Sequence, residues 1–160
     1  MDNRIETLDL KKLIGKSMQM SAEADRTAEL WRNFMPDRHK IKNSVNDNLY
    51  SLQIYPPDYF LNFDWSSIFT KYAMCEVSSF DNLPEGMETL TLPGGLYVVF
   101  LYKGPASNGS RIFEYIFAEW LPASDYLIDS RPHFELLGEN YSNSAADSEE
   151  EIWIPVKAKE

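Results

Sequence analysis

The sequence has few of the residues that build common reactive centres. Its 160 residues include one cysteine and two histidines, so an internal disulfide is excluded and no Cys/His cluster exists to hold zinc. Neither a glycine-rich phosphate loop nor a G-x-S-x-G motif is present. Cys75 lies in an apolar run, which is typical of a buried, inert thiol in a reducing cytosol. We therefore expect no metal, no cofactor and a cytoplasmic location.

Positive charge is also scarce. The chain has 15 Lys and Arg residues against 25 Asp and Glu residues, a formal net charge of −10, and its longest basic stretch, residues 38–42, is short and interrupted. Such a chain is repelled by phosphate backbones, so direct nucleic-acid binding is not expected, whereas cationic ligands are attracted. The acidity is equally compatible with solubility alone. No apolar run of about 18 residues and no leader-like start is present, so we expect no membrane contact.

Aromatic residues, by contrast, are abundant. They make up 14% of a chain that is 44% hydrophobic, which indicates a folded protein of one domain, residues 1–160. Several tyrosines crowd residues 50–65. Because a buried tyrosine hydroxyl needs a partner, such a cluster suits a semi-polar ligand pocket, although most of these rings must pack in the core.

Hydrophobic periodicity predicts an α+β fold in two halves. In the first half, residues 13–20 form a strand, Ser21 caps a helix over 22–35, and strands follow at 49–55 and 69–77. The buried stripe of this helix is predicted to consist of Ala28, Trp31, Phe34 and Met35.

The second half repeats this order of elements. Strands at 87–92 and 96–102 precede a helix whose buried stripe is Phe113, Ile116, Phe117 and Trp120, and strands at 133–137 and 151–156 close the chain. The acidic run 147–151 is predicted to be a solvated loop. Both helices are expected to cover one face of the sheet and to leave the other face for a groove.

Strand alternation singles out one carboxylate. In the predicted strand 133–137, Phe134 and Leu136 share one face and have the character of core residues, so Glu135 must point the other way with His133 and Leu137. A glutamate in a cleft could neutralise a cationic ligand or, with a raised pKa, act as a general acid or base. Spacing alone is more typical of an ordinary solvent-facing glutamate.

Four segments in the second half resemble the GyrI-like small-molecule-binding family. In order along the chain they are LTLPGGLYVVFLYKGP, FAEWLPASDY, RPHFELLGENY and EEEIWIPVK. This family includes the effector-binding domains of multidrug-sensing bacterial transcription regulators and stand-alone DNA gyrase inhibitor proteins. The resemblance is close from Leu90 to Lys157, and in the first half it rests on the order of elements.

The resemblance implies a pseudo-symmetric fold of two βαββ-like halves and an aromatic groove around a buried glutamate. By motif position that glutamate is Glu135, with Leu137 on the same face and Tyr97 as the family's strand tyrosine. Tyr55 and Trp153 are added as pocket candidates from the strand pattern alone.

Three functions follow from the resemblance. The first is a stand-alone protein that binds an aromatic, cationic or planar small molecule, since no residues are left for a DNA-reading module. The second is a hydrolase of cyclopropane-bearing DNA-alkylating natural products, in which Glu135 is the catalytic residue. The third is a gyrase-inhibitor-like module with gyrase or a regulator as its protein partner. Fold alone does not decide between them.

Overall fold

The computed structural model describes residues 1–105, 108–142 and 146–160. Within these residues the chain forms nine antiparallel strands and two helical segments, which confirms the predicted α+β class. The duplication of two βαββ-like halves and the single-domain assignment remain predictions. In this described part of the chain, no helix is long and apolar enough to cross a membrane.

The first half contributes four strands and one helical segment. The segment starts with an α-helix, which is followed directly by a 3-10 helix. The bounds are β1 Asn3–Leu8, β2 Lys11–Ser21, α1 Thr27–Phe34, the 3-10 helix Met35–Lys40, β3 Leu49–Ile54 and β4 Ile68–Val77.

The second half contributes five strands and the longer helical segment. That segment changes from an α-helix to a π-helical turn and ends in one short α-helical turn. The bounds are β5 Glu88–Leu92, β6 Gly95–Lys103, α2 Gly109–Tyr115, the π turn Ile116–Trp120, α3 Leu121–Ala123, β7 Tyr126–Ile128, β8 His133–Leu137 and β9 Glu149–Ala158.

The sheet joins both halves through its central strands. Its order is β1-β6-β9-β8-β3-β4-β2-β5, and β7 pairs with β9. Strands β3 and β8 are neighbours in register, with Ser51 opposite Glu135 and Gln53 opposite His133. The middle of the sheet therefore lies between the two helical segments.

Both faces of this sheet are covered, which corrects one expectation. Leu30 and Phe34 of α1 pack on Ile14 and Ala73, and Ile116 packs on the same face over β6 and β9. The opposite face is not a groove: it carries an apolar core cluster drawn from eight strands. Its buried members are Leu8, Leu13, Tyr50, Leu52, Met74, Leu92, Tyr97, Val99, Phe134 and Trp153. The space left for a groove is therefore on the helix face, between α1 and α2.

The first helix differs in extent from its prediction. Ser21 does not cap it; the Ser21 Oγ accepts a hydrogen bond from the Ala24 N–H at 3.1 Å in the preceding turn, and the helix begins at Thr27. The α-helix ends at Phe34, one residue from the predicted end, and Pro36 is tolerated in the first turn of the 3-10 helix that follows. Of the predicted stripe, Phe34 is buried and Trp31 packs against the same cluster, whereas Ala28 and Met35 are exposed. The buried Leu30 was not predicted.

Candidate functional site

Glu135 lies on the helix face of the sheet, between the two helical segments. Its strand neighbours Phe134 and Leu136 belong to the core cluster on the other face, as alternation predicts. Glu135 stands opposite Ser51 on β3 and opposite Ile152 on β9, and Ile152 packs with Ile116 of the second helical segment. The predicted orientation of Glu135 away from Phe134 is thus observed, but toward the helices.

An internal lysine accompanies Glu135. The Lys71 Nζ lies 3.6 Å from the Glu135 Oε2, and the two side chains are only 8% and 12% exposed. The Gln53 Nε2 donates a hydrogen bond to the same oxygen at 3.2 Å. Burying a carboxylate is costly unless it is paired and hydrogen-bonded. Lys71 and Gln53 together meet that condition.

A second carboxylate, Glu150, shares this environment. Because Glu135 is opposite Ile152, Glu150 is its diagonal neighbour on the same face, a relation that places Cα atoms about 7–8 Å apart. Burial, followed by the charge of Glu135, raises the pKa of Glu150 to about 7, although Lys71 opposes the shift. Glu150 therefore exchanges a proton near neutral pH. The expectation of a solvated loop over 147–151 is wrong here, since Glu149–Ala158 is a strand.

Aromatic rings form one wall of the groove. Tyr55 lies at centroid distances of 4.6 Å from Tyr59, 4.9 Å from Phe60 and 5.3 Å from Phe69. Burial, and then the charge of Glu135, raises the pKa of Tyr55, so its hydroxyl stays protonated. We name Tyr55, Tyr59, Phe60, Phe69, His133 and Phe117 the aromatic wall.

The imidazole of His133 is part of that wall. Its ring is 4.9 Å from Tyr55 and stacks on Phe60 at 5.5 Å. Burial lowers the pKa of His133 to about 3. The side chain is therefore neutral at physiological pH and adds no positive charge beside Glu135.

Two cavities flank Glu135 along β8. Leu137 lines one of about 1020 Å³ against α1, together with Trp31, Leu49 and Tyr141. His133 lines the other, about 680 Å³, together with Tyr55 and Phe60 of the aromatic wall. Since Leu137 and His133 are each two residues from Glu135 on the same face, the carboxylate stands between the two cavities. We call the region that spans both cavities the central groove; Glu135 and its charged partners form the floor between the cavities and line neither of them.

Two of the five predicted site residues lie elsewhere. Glu135, Leu137 and Tyr55 share the helix face, but Tyr97 and Trp153 are buried in the core cluster of the opposite face. The Tyr97 hydroxyl donates a hydrogen bond to the Pro132 carbonyl at 2.8 Å, and its ring contacts Trp153 at 5.8 Å. Their polar groups are satisfied within the fold, and neither ring reaches the central groove.

Sequence reasoning missed Lys71, Gln53 and Glu150. A signal for Lys71 was present, because it alternates with Phe69, Ala73 and Cys75 along β4. A lysine on an otherwise apolar strand face must either extend to solvent or pair internally. Among the described residues, no group of three or more potential ligands could hold a metal ion.

Comparison with known proteins defines the class of this chain as a small-molecule effector-binding domain. Residues 4–156 match the family of integron-associated effector binding proteins, Cass2, and the chain belongs to that family. The resemblance to GyrI-like effector-binding domains is thereby confirmed.

Individual relatives agree with this assignment. The transcriptional regulator BrlR of Pseudomonas aeruginosa is 24% identical over 146 residues, which are 90% of this chain and 51% of BrlR. The chain thus spans about half the length of that curated relative. Two solved structures share the fold. SAV2435 bound to tetraphenylphosphonium has a TM-score of 0.78 at 17% identity, covering 98% of this chain and 94% of that one. The EcmrR C-terminal domain has a TM-score of 0.74 at 13% identity, covering 99% and 98%.

Proposed function

We propose that the protein binds an aromatic cation in the central groove, with Glu135 as its charge partner. The observation that carries this proposal is the nearly buried Glu135 carboxylate beside the aromatic wall, on a face with cavities to either side. A tetraphenylphosphonium-bound protein of the same fold supports the choice of ligand class.

The charges of the floor favour a cation over an anion. Glu135 and Glu150 together outnumber the one ammonium, Lys71, and the chain as a whole carries a net charge of −10. In a site shielded from water, an excess carboxylate interacts more strongly with an incoming cation than it does at the surface. The same field disfavours anionic compounds.

The rings favour an aromatic or bulky apolar compound. A cation over the face of a tyrosine or tryptophan gains about 0.5–2 kcal/mol, most when it is desolvated. Trp31 and Tyr141 line the cavity against α1, and its volume of about 1020 Å³ is at the upper end of the range for pockets that hold drug-sized ligands. Leu137 supplies apolar contact on the floor.

A matched pair of probes tests the proposal. Methyltriphenylphosphonium and triphenylphosphine oxide have nearly the same shape, but only the first is charged. Titration calorimetry at pH 7.5 should show binding of the cation at least tenfold tighter than that of the neutral oxide. Equal affinities, or binding of neither compound and of no other aromatic cation in a dye panel, would contradict the proposal.

A hydrolase using the same groove is the second candidate. Glu150 exchanges a proton near neutral pH, as a general acid or base must, and it lies beside Glu135. Mass spectrometry of a cyclopropane-bearing alkylating compound recovered after incubation distinguishes the two functions. A mass increase of one water that depends on enzyme concentration supports hydrolysis; unchanged mass with saturable binding supports a binding protein.

A further inference from the structure

The central groove holds three ionisable side chains whose charges do not cancel. With both carboxylates ionised, Glu135 and Glu150 carry two negative charges against the single positive charge of Lys71. The geometry ties the three together, since Lys71 contacts Glu135 at 3.6 Å and Glu150 is the diagonal neighbour of Glu135 across the β8–β9 pair. The groove therefore lacks one positive charge.

Among the residues that the structure describes, Lys71 is the one cation that acts on Glu150. From β6, Tyr102 stands opposite Glu150, and its hydroxyl donates to the Pro105 carbonyl at 2.6 Å. From β8 comes the charge of Glu135, and from β4 comes that of Lys71. Glu150 also shares a surface hollow with further carboxylates, which are Asp47, Glu139, Glu149 and Glu151.

The remaining neighbours add no net positive charge to the cluster. Tyr141 lies close enough for Glu150 and Glu135 to raise its pKa, after burial as the larger cause, so it stays neutral. Asp25, just before α1, and Arg32 on α1 both line the adjoining cavity, so this wall adds one charge of each sign. Lys103 and Arg4 pair with Glu149 and Glu151.

We propose that a proton and a monocationic ligand compete for the Glu135–Glu150 pair, so that the protein releases a proton when it binds the ligand. This inference rests on the proposed function and adds its regulation and its charge preference. One added positive charge neutralises the cluster, whereas a dication would leave an excess of one. Binding should therefore favour monocations and strengthen as pH rises.

The titration of Glu150 sets the range of pH. Its pKa of about 7 in the free protein means that about half of the molecules hold this proton at neutral pH. A bound cation stabilises the ionised form and lowers that pKa. The affinity should then rise about tenfold between pH 6 and pH 8 and level off above, with about half a proton released per ligand at pH 7.

Calorimetry with tetraphenylphosphonium measures this release directly, because the probe itself does not titrate. Titrations at pH 6, 7 and 8, each in phosphate and in Tris, give the proton count from the difference in the observed heats. Glu150→Gln should bind the probe at all three pH values with no proton release. Glu119→Gln, an exposed control on the second helical segment, should behave as the wild type.

Lys71→Met provides an independent variant. Removing the ammonium makes ionisation of Glu150 harder, so the rise in affinity should move to higher pH while proton release continues. Binding that is independent of pH and releases no proton would overturn the inference and leave the proposed function standing. Proton release that persists in Glu150→Gln would overturn the role of Glu150. Absence of binding at every pH would remove the proposed function, and the inference with it.

Discussion

His133 should give the protein a steep loss of stability in acid. The imidazole is enclosed by Tyr55 at 4.9 Å and Phe60 at 5.5 Å, and Phe117 lies at 6.3 Å. In the unfolded chain this histidine gains a proton near its ordinary pKa of 6.5, whereas burial lowers the pKa in the folded protein to about 3. Below pH 6.5 the unfolded state therefore binds more protons than the folded state.

The magnitude follows from proton linkage. Stability from this group is fully present above pH 6.5 and is lost as pH falls toward 3, by about 1.4 kcal/mol for each pH unit. Between pH 6 and pH 4 the loss should be about 2–3 kcal/mol. This is a large fraction of the 5–15 kcal/mol by which typical domains are stable.

Urea denaturation followed by tryptophan fluorescence at pH 4, 5, 6 and 7 tests this expectation. His133→Gln and His133→Phe remove the titrating group, so the free energy of unfolding should fall less steeply with acid than in the wild type. His39→Gln, which changes the exposed histidine of the 3-10 helix, is the matched control and should keep the wild-type slope. Identical slopes for the wild type and both His133 variants would refute the reasoning.

Further predictions concern the core, the thiol and DNA. Ile116→Ala should lower the free energy of unfolding by about 2–5 kcal/mol, because Ile116 is fully buried. Phe117→Ala should lower it less, since the Phe117 ring is half-buried. A loss below about 1 kcal/mol for Ile116→Ala in chemical denaturation would count against the observed packing. Cys75 should resist Ellman's reagent until the protein unfolds, because burial raises the pKa of its thiol; rapid labelling of the native protein would contradict this. The protein should not shift duplex DNA in a mobility assay at physiological salt, given its net charge of −10, and salt-sensitive micromolar binding would refute that expectation.

The sequence predicted the orientation of Glu135 because its strand alternates cleanly. A polar residue between two apolar ones on an amphipathic strand can take only one face. The same rule fails for Tyr97 and Trp153. Their strands are apolar on both sides, with Leu96 and Val98 around Tyr97 and with Ile152 and Ile154 around Trp153. Such strands show no alternation of polar and apolar residues, so the sequence does not reveal which of their side chains face the core cluster.

The partners of Glu135 depend on pairing between distant strands. Lys71, Glu135 and Glu150 meet only because β4, β3, β8 and β9 are consecutive in the sheet. No local sequence pattern reveals the order of these strands in the sheet. The acidic run around Glu150 has the composition of a loop, yet β6 and β8 hold it in the sheet. Pairing with the neighbouring strands therefore overrides the loop propensity of this acidic segment.

The central claim is tested most directly by Glu135→Gln with the matched phosphonium and phosphine oxide probes. The change keeps the shape of the side chain and removes its charge, so calorimetry should show methyltriphenylphosphonium binding about 5-fold to 150-fold more weakly, equivalent to about 1–3 kcal/mol. Triphenylphosphine oxide should bind with unchanged affinity. If the protein is instead a hydrolase, binding should persist while turnover falls by about 10²–10⁴-fold. Unchanged affinity and unchanged rate in Glu135→Gln would contradict the account, because Glu135 would then be a structural residue alone.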